Sequence, residues 1–150
     1  MQKMLVTFPG GKKVDAHFDG FHIQTDQPIL AGGEGSAPEP YTLFLASIAT
    51  CAGIYVKSFC DHRGIPADDI TLTQRMHYDP TKRRMAKIDI EILVPEDFPE
   101  KYRKPLARAA GQCAVKRTME DPPLFEVETL VASASAQRHR ESDSASQPRA

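Results

Sequence analysis

The chain has 150 residues, enough for one domain that buries roughly 70% of its unfolded surface. Its 19 basic and 20 acidic residues give a net charge of −1, which argues against a global field for nucleic acid or an anionic membrane. No uninterrupted apolar run approaches the ~20 residues that span a bilayer, and the opening MQKMLVTFPGGKK lacks the apolar core and cleavage site of a secretory signal. A cytoplasmic protein without membrane or nucleic-acid partners is expected. Three cysteines (Cys51, Cys60, Cys113) make no disulfide framework and no CxxC pair, and the histidines do not cluster at metal-ligand spacing. No metal and no cofactor are expected.

Lys3–Phe8 reads as a strand, Pro9-Gly10-Gly11 as a turn, and Lys12–Phe18 as a returning strand. Asp19-Gly20 is a type I′ hairpin signal, and Phe21, Ile23 and Thr25 then alternate with polar residues. Residues 27–40 are rich in glycine and proline. Their GGEG segment fits neither GxxxxGK[ST] nor GxGxxG, so a flexible loop leading to the next helix is expected.

Pro40 suits the first position of a helix, where its missing N–H would be unpaired anyway. From Tyr41 to Val56 the chain carries no charge, and apolar or small residues cover most of the helical circumference. Such a helix is expected to be central and buried on most sides. Gly64 and Pro66 end it. Residues 70–79 and 82–94 read as an antiparallel hairpin with Ile88, Ile90, Ile92 and Val94 on one face. Residues 95–104 read as a short turn or a single helical turn, and Pro105 as the start of a second helix with Cys113 on its apolar stripe. Leu124–Ala132 reads as a last strand. Residues 133–150 are polar, Ser-rich and free of aromatics, so a flexible tail is expected after one domain over 1–132. The fold class is α+β, with helices packed on largely antiparallel sheets.

A lone cysteine in an apolar helix is ordinarily a small hydrophobe, and Cys60 is read that way. Cys51 and Cys113 differ because each lies on the apolar stripe of one of only two substantial helices. Packed helices lie roughly 8–10 Å apart, so the two thiols are able to meet, and cytoplasmic thiols that meet suggest transient redox chemistry. The thiolate is the reactive species, and a cation is needed to favour it. The spacing does not identify that cation.

At these residues the chain resembles the OsmC/Ohr family of osmotically induced and organic hydroperoxide resistance proteins. The likeness rests on SAPEPYTLFLASIATC, on GQCAVKRTM, and on the separation of about sixty residues between the two cysteines. It implies an OsmC-like fold, with antiparallel sheets around a long central helix, in an intertwined homodimer with active sites at the subunit interface. It also implies reduction of organic hydroperoxides, with Cys51 peroxidatic, Cys113 resolving, and a dithiol reductant restoring both. The family's peroxidases place an arginine after Gly-Gly on the N-terminal hairpin and a glutamate after the helix-start proline. This chain has Lys12 at the first place and Tyr41 at the second, with Glu39 two residues earlier. Lys12 and Glu39 are therefore the candidate supports, Tyr41 and Phe44 candidate pocket walls, and the chain resembles the broader OsmC-like group more than a standard Ohr member. The alternative function is a non-catalytic dimer that holds a small hydrophobic ligand at its interface.

Overall fold

The computed structural model describes residues 3–131, so the stretch expected as a polar tail lies outside the described residues. The chain divides into two compact units. Among the described residues, one comprises 3–39 with 124–131, the other Pro40–Pro123.

In the first unit, β1 (Leu5–Gly10), β2 (Lys13–Phe18) and β3 (Phe21–Ile23) form an antiparallel meander in that order. Val6 pairs with Ala16, and Ala16 with Ile23. The β2–β3 turn places Asp19 and Gly20 at φ 48° and 81°, the doubly positive geometry of a type I′ turn that Asp-Gly favours. The loop after β3 is tethered where a flexible one was expected. Buried Asp26 accepts hydrogen bonds from the backbone N–H groups of Gln27, Glu34 and Ser36 at 2.8, 3.2 and 3.0 Å, and from the Ser36 hydroxyl at 2.8 Å. These donors, led by the Ser36 N–H, hold its carboxyl at about 2. Gly33 lies so close to the loop's own start that a Cβ there would stand 1.9 Å from the Gln27 carbonyl oxygen.

Of the expected last strand Leu124–Ala132, the described residues 124–131 form no strand. Leu124, Phe125, Val127, Leu130 and Val131 are almost wholly exposed and have no ladder partner among the described residues. An alternating apolar pattern specifies a strand only where another strand is there to pair with it.

The second unit is built on α1 (Pro40–Asp61), which begins at Pro40 as its sequence requires. Past its end Gly64 takes a left-handed φ of 62°, and the Ile65 N–H bonds back to the Cys60 carbonyl at 3.1 Å. By length and composition α1 is apolar enough to cross a bilayer, contrary to the expectation that no such run exists. A core helix has the same composition. One stripe of it (Ile48, Ala52, Val56, Cys60) is buried, while Tyr41, Phe44 and Ile54 remain exposed, so burial on most sides is not achieved within one chain.

That stripe packs on α2 (Glu100–Ala110) and on the hairpin of β4 (Thr71–Asp79) and β5 (Arg84–Leu93). The hairpin registers Leu72 with Ile92 and Gln74 with Ile90, turning Ile90, Ile92 and Val94 inward. Its outer face carries the Arg75–Glu91 and His77–Asp89 pairs. α2 starts five residues before the expected Pro105, which lies inside it. An internal proline costs about 3 kcal/mol or more. Fully buried Leu106, buried Ala110 and the edge contact of Tyr102 with Phe59 at 6.0 Å offset that cost. The helix expected to run on through Cys113 instead stops at Gly111, and a separate α3 follows (Ala114–Glu120).

Candidate functional site

The break after Gly111 decides the setting of both thiols. Cys113 is not on a helical stripe but is the N-cap of α3, extended at φ −58°, ψ 136°. A cap leaves the first N–H groups of the helix without intrahelical partners, and these amides carry partial positive charge. The Lys116 N–H donates to the Cys113 Sγ at 3.2 Å. The Val115 N–H reaches Cys113 as well as a second sulfur, that of Cys51.

Cys51 lies midway along α1 and is partly buried against the core. The Val115 and Ala114 N–H groups and the Cys113 thiol act on its sulfur, and Arg117 adds positive charge. These contacts, with the Val115 N–H the largest, bring the Cys51 pKa below its ordinary 9.0 against the opposing effect of burial. Cys113 moves the other way. Its burial, with only 1% exposed, pushes the thiol above 9.0, and the neighbouring Cys51 adds to the rise. The two sulfurs titrate as a pair, with the first negative charge on Cys51 and the remaining proton on Cys113. All three cysteines are free thiols. Cys60, fully buried farther along α1, is raised by desolvation and by the adjacent Asp61, and behaves as a small hydrophobe.

The two thiols expected to meet do come together, with Cys113 placed by the N-cap of α3 and not by a helical stripe. Lys12 stands at the β1–β2 turn, and Glu39 closes the first unit just before α1. The paired lysine of that turn is Lys13, 2.6 Å from Glu34. Tyr41 and Phe44 stack on the first turns of α1 with centroids 5.8 Å apart, both exposed. Neither lines the cavity of the second unit, which measures about 460 Å³ and has Ile48, Leu106 and Cys113 in its wall. The sequence reading missed the α3 amides and Arg117. The signal was Gly111, a helix terminator two residues before Cys113, with Arg117 one turn beyond the cap. Among the described residues no three His, Cys, Asp or Glu side chains group as metal ligands.

Solved structures share this fold. An osmotic stress induced and detoxification response protein from Psychrobacter arcticus 273-4 superposes with a TM-score of 0.64 at 26% identity, over 79% of this chain and 88% of that one. An OsmC like protein from Mycoplasma pneumoniae gives 0.64 at 14% identity, over 81% and 89%. The organic hydroperoxide resistance protein OhrB of Bacillus subtilis gives 0.50 at 20% identity, over 81% and 92%. No curated protein matches the chain significantly. The family model for OsmC-like proteins matches residues 33–128, well over half of the sequence, and on that match the chain belongs to the OsmC-like family.

Proposed function

We propose that this protein reduces organic hydroperoxides through Cys51 and Cys113, in oxidative-stress defence. One observation carries the reading: the Cys51 sulfur faces the free amides of α3 and Arg117, with a protonated Cys113 beside it. The Cys51 thiolate attacks the terminal oxygen of ROOH. The S–O bond forms as the O–O bond breaks, and the alkoxide takes a proton from solvent to leave as ROH. Cys51 is now a sulfenic acid, oxidised by two electrons. Cys113 then attacks the Cys51 sulfur, the S–S bond forms, and the oxygen departs as water with the Cys113 proton. A dithiol reductant returns two electrons and two protons by thiol–disulfide exchange.

The partner in solution is a second copy of the chain. α1 leaves Tyr41, Phe44 and Ile54 exposed, and the first unit leaves Phe8, Phe21 and Leu30 exposed, which is apolar surface of the kind that an interface covers.

Peroxide loss and free thiols are followed after mixing the reduced protein with a slight excess of an alkyl hydroperoxide. Wild type consumes peroxide and loses two thiols, Cys51→Ser consumes none, and Cys113→Ser accumulates a trappable sulfenic acid. Equal consumption by wild type and Cys51→Ser, or none by either, overturns the enzymatic reading and favours a ligand-binding dimer with inert thiols. Sizing at micromolar concentration gives a dimer; a monomer there removes the proposed partner.

A further inference from the structure

The cavity of the second unit has Cys113 in its wall but not Cys51, so it is a space apart from the reacting sulfur. Its volume of about 460 Å³ lies within the ~300–1,000 Å³ of small-molecule sites. One wall is the inward row Ile88, Ile90 and Ile92 of β5, continued by Val94 just past its end, an aliphatic track. The polar groups of the lining are two cations, Arg103 from α2 and Lys116 from α3, and no lining residue is acidic. Lys116 is engaged, its Nζ 3.2 Å from Glu120 Oε1 and 3.5 Å from the Gly111 carbonyl. Arg103 makes no ion pair with any described residue. A planar guanidinium beside an aliphatic track matches a ligand with a carboxylate at the end of an alkyl chain.

We propose that this cavity binds a straight-chain aliphatic carboxylate, its chain along the β5 row and its head on Arg103. Binding of this kind is independent of peroxide chemistry and is measured on the Cys51→Ser protein, so it stands or falls apart from the thiol mechanism. Decanoate, decanol and decylamine, below their aggregation limits, are titrated calorimetrically. Decanoate binds about tenfold tighter than decanol, the size expected for a partly exposed charge-assisted pair, and decylamine binds weakest. Arg103→Gln, an exposed position, brings decanoate to the affinity of decanol. Ile90→Trp fills the track and removes binding of both; Ile90→Leu, which conserves volume, keeps it and serves as the folding control. Equal affinity for decanoate and decanol overturns the proposal. So does decanoate binding unaltered by Arg103→Gln or by a folded Ile90→Trp. No decanoate binding up to millimolar concentration overturns it as well, and is the result expected if a second copy of the chain fills the cavity.

Discussion

Replacing Val115 by proline tests the account of Cys51 at its largest contributor. The substitution deletes one N–H in the first turn of α3, a place where that donor has no intrahelical partner and a helical φ already suits proline. The helix can therefore persist while the sulfur loses a donor. A hydrogen bond to a charged group contributes roughly 1.5–3 kcal/mol, and sulfur accepts more weakly than oxygen, so the lower end applies. About 1.4 kcal/mol corresponds to one pKa unit. Val115→Pro accordingly raises the Cys51 pKa by about one unit, and at a pH below both values the thiolate fraction falls about tenfold. Ala114→Pro removes the smaller backbone donor and raises it less. The assay is the pH dependence of iodoacetamide alkylation at Cys51, read by peptide mass spectrometry, with thiolate ultraviolet absorbance as a second probe. Wild type shows an inflection below 9.0. An unchanged inflection in a folded Val115→Pro protein refutes the idea that the α3 amides activate this thiol.

Asp26→Asn removes the charge that four donors face, puts an NH2 in place of one accepting oxygen, and lowers Tm by roughly 5 °C at neutral pH. Because the folded carboxyl sits at about 2 against an ordinary 3.8, its contribution is full above pH ~4 and fades as the pH falls towards 2. The gap between wild type and variant in denaturant titrations narrows over that window; a constant gap contradicts the assignment. Gly33→Ala forces the 27–36 loop apart, costs about 2 kcal/mol or more in chemical denaturation, and opens the loop to proteolysis. A neutral outcome would mean that the loop has an alternative path. Cys60→Ala leaves peroxide consumption unchanged and lowers stability by about 1 kcal/mol; a loss of turnover would give this buried thiol a chemical role.

The fold was legible where local chemistry and periodicity agree. Pro40, the chargeless run to Val56 and the left-handed Gly64 delimit α1, and the alternation of Ile88, Ile90 and Ile92 gives the hairpin its inner face. It was misread where packing overrides a local rule. Pro105 reads as a helix start, yet Tyr102 and Leu106, one turn apart on the same face, gain enough from α1 to carry the helix through it. Leu124–Val131 has the composition of a strand, but composition cannot supply the neighbouring strand it would pair with.

The site was legible by residue type and not by cause. Spacing and family pattern pick out Cys51 and Cys113, whereas the group that differentiates them is backbone, which no side-chain motif encodes. Within the second unit, the positive charge beside Cys51 comes from backbone amides of α3 with Arg117 behind them. This arrangement also explains why two thiols in contact take different roles. As N-cap, Cys113 takes the Lys116 donor and shares that of Val115, but its full burial outweighs both and disfavours the thiolate. Cys51 comes from another helix, is less buried, and receives the Ala114 donor together with the Val115 donor that it shares with Cys113. Had α2 run unbroken through Cys113, those amides would be tied to carbonyls four residues back and neither sulfur would be preferred. The asymmetry needed for one sulfur to attack and the other to resolve thus originates in the interruption at Gly111.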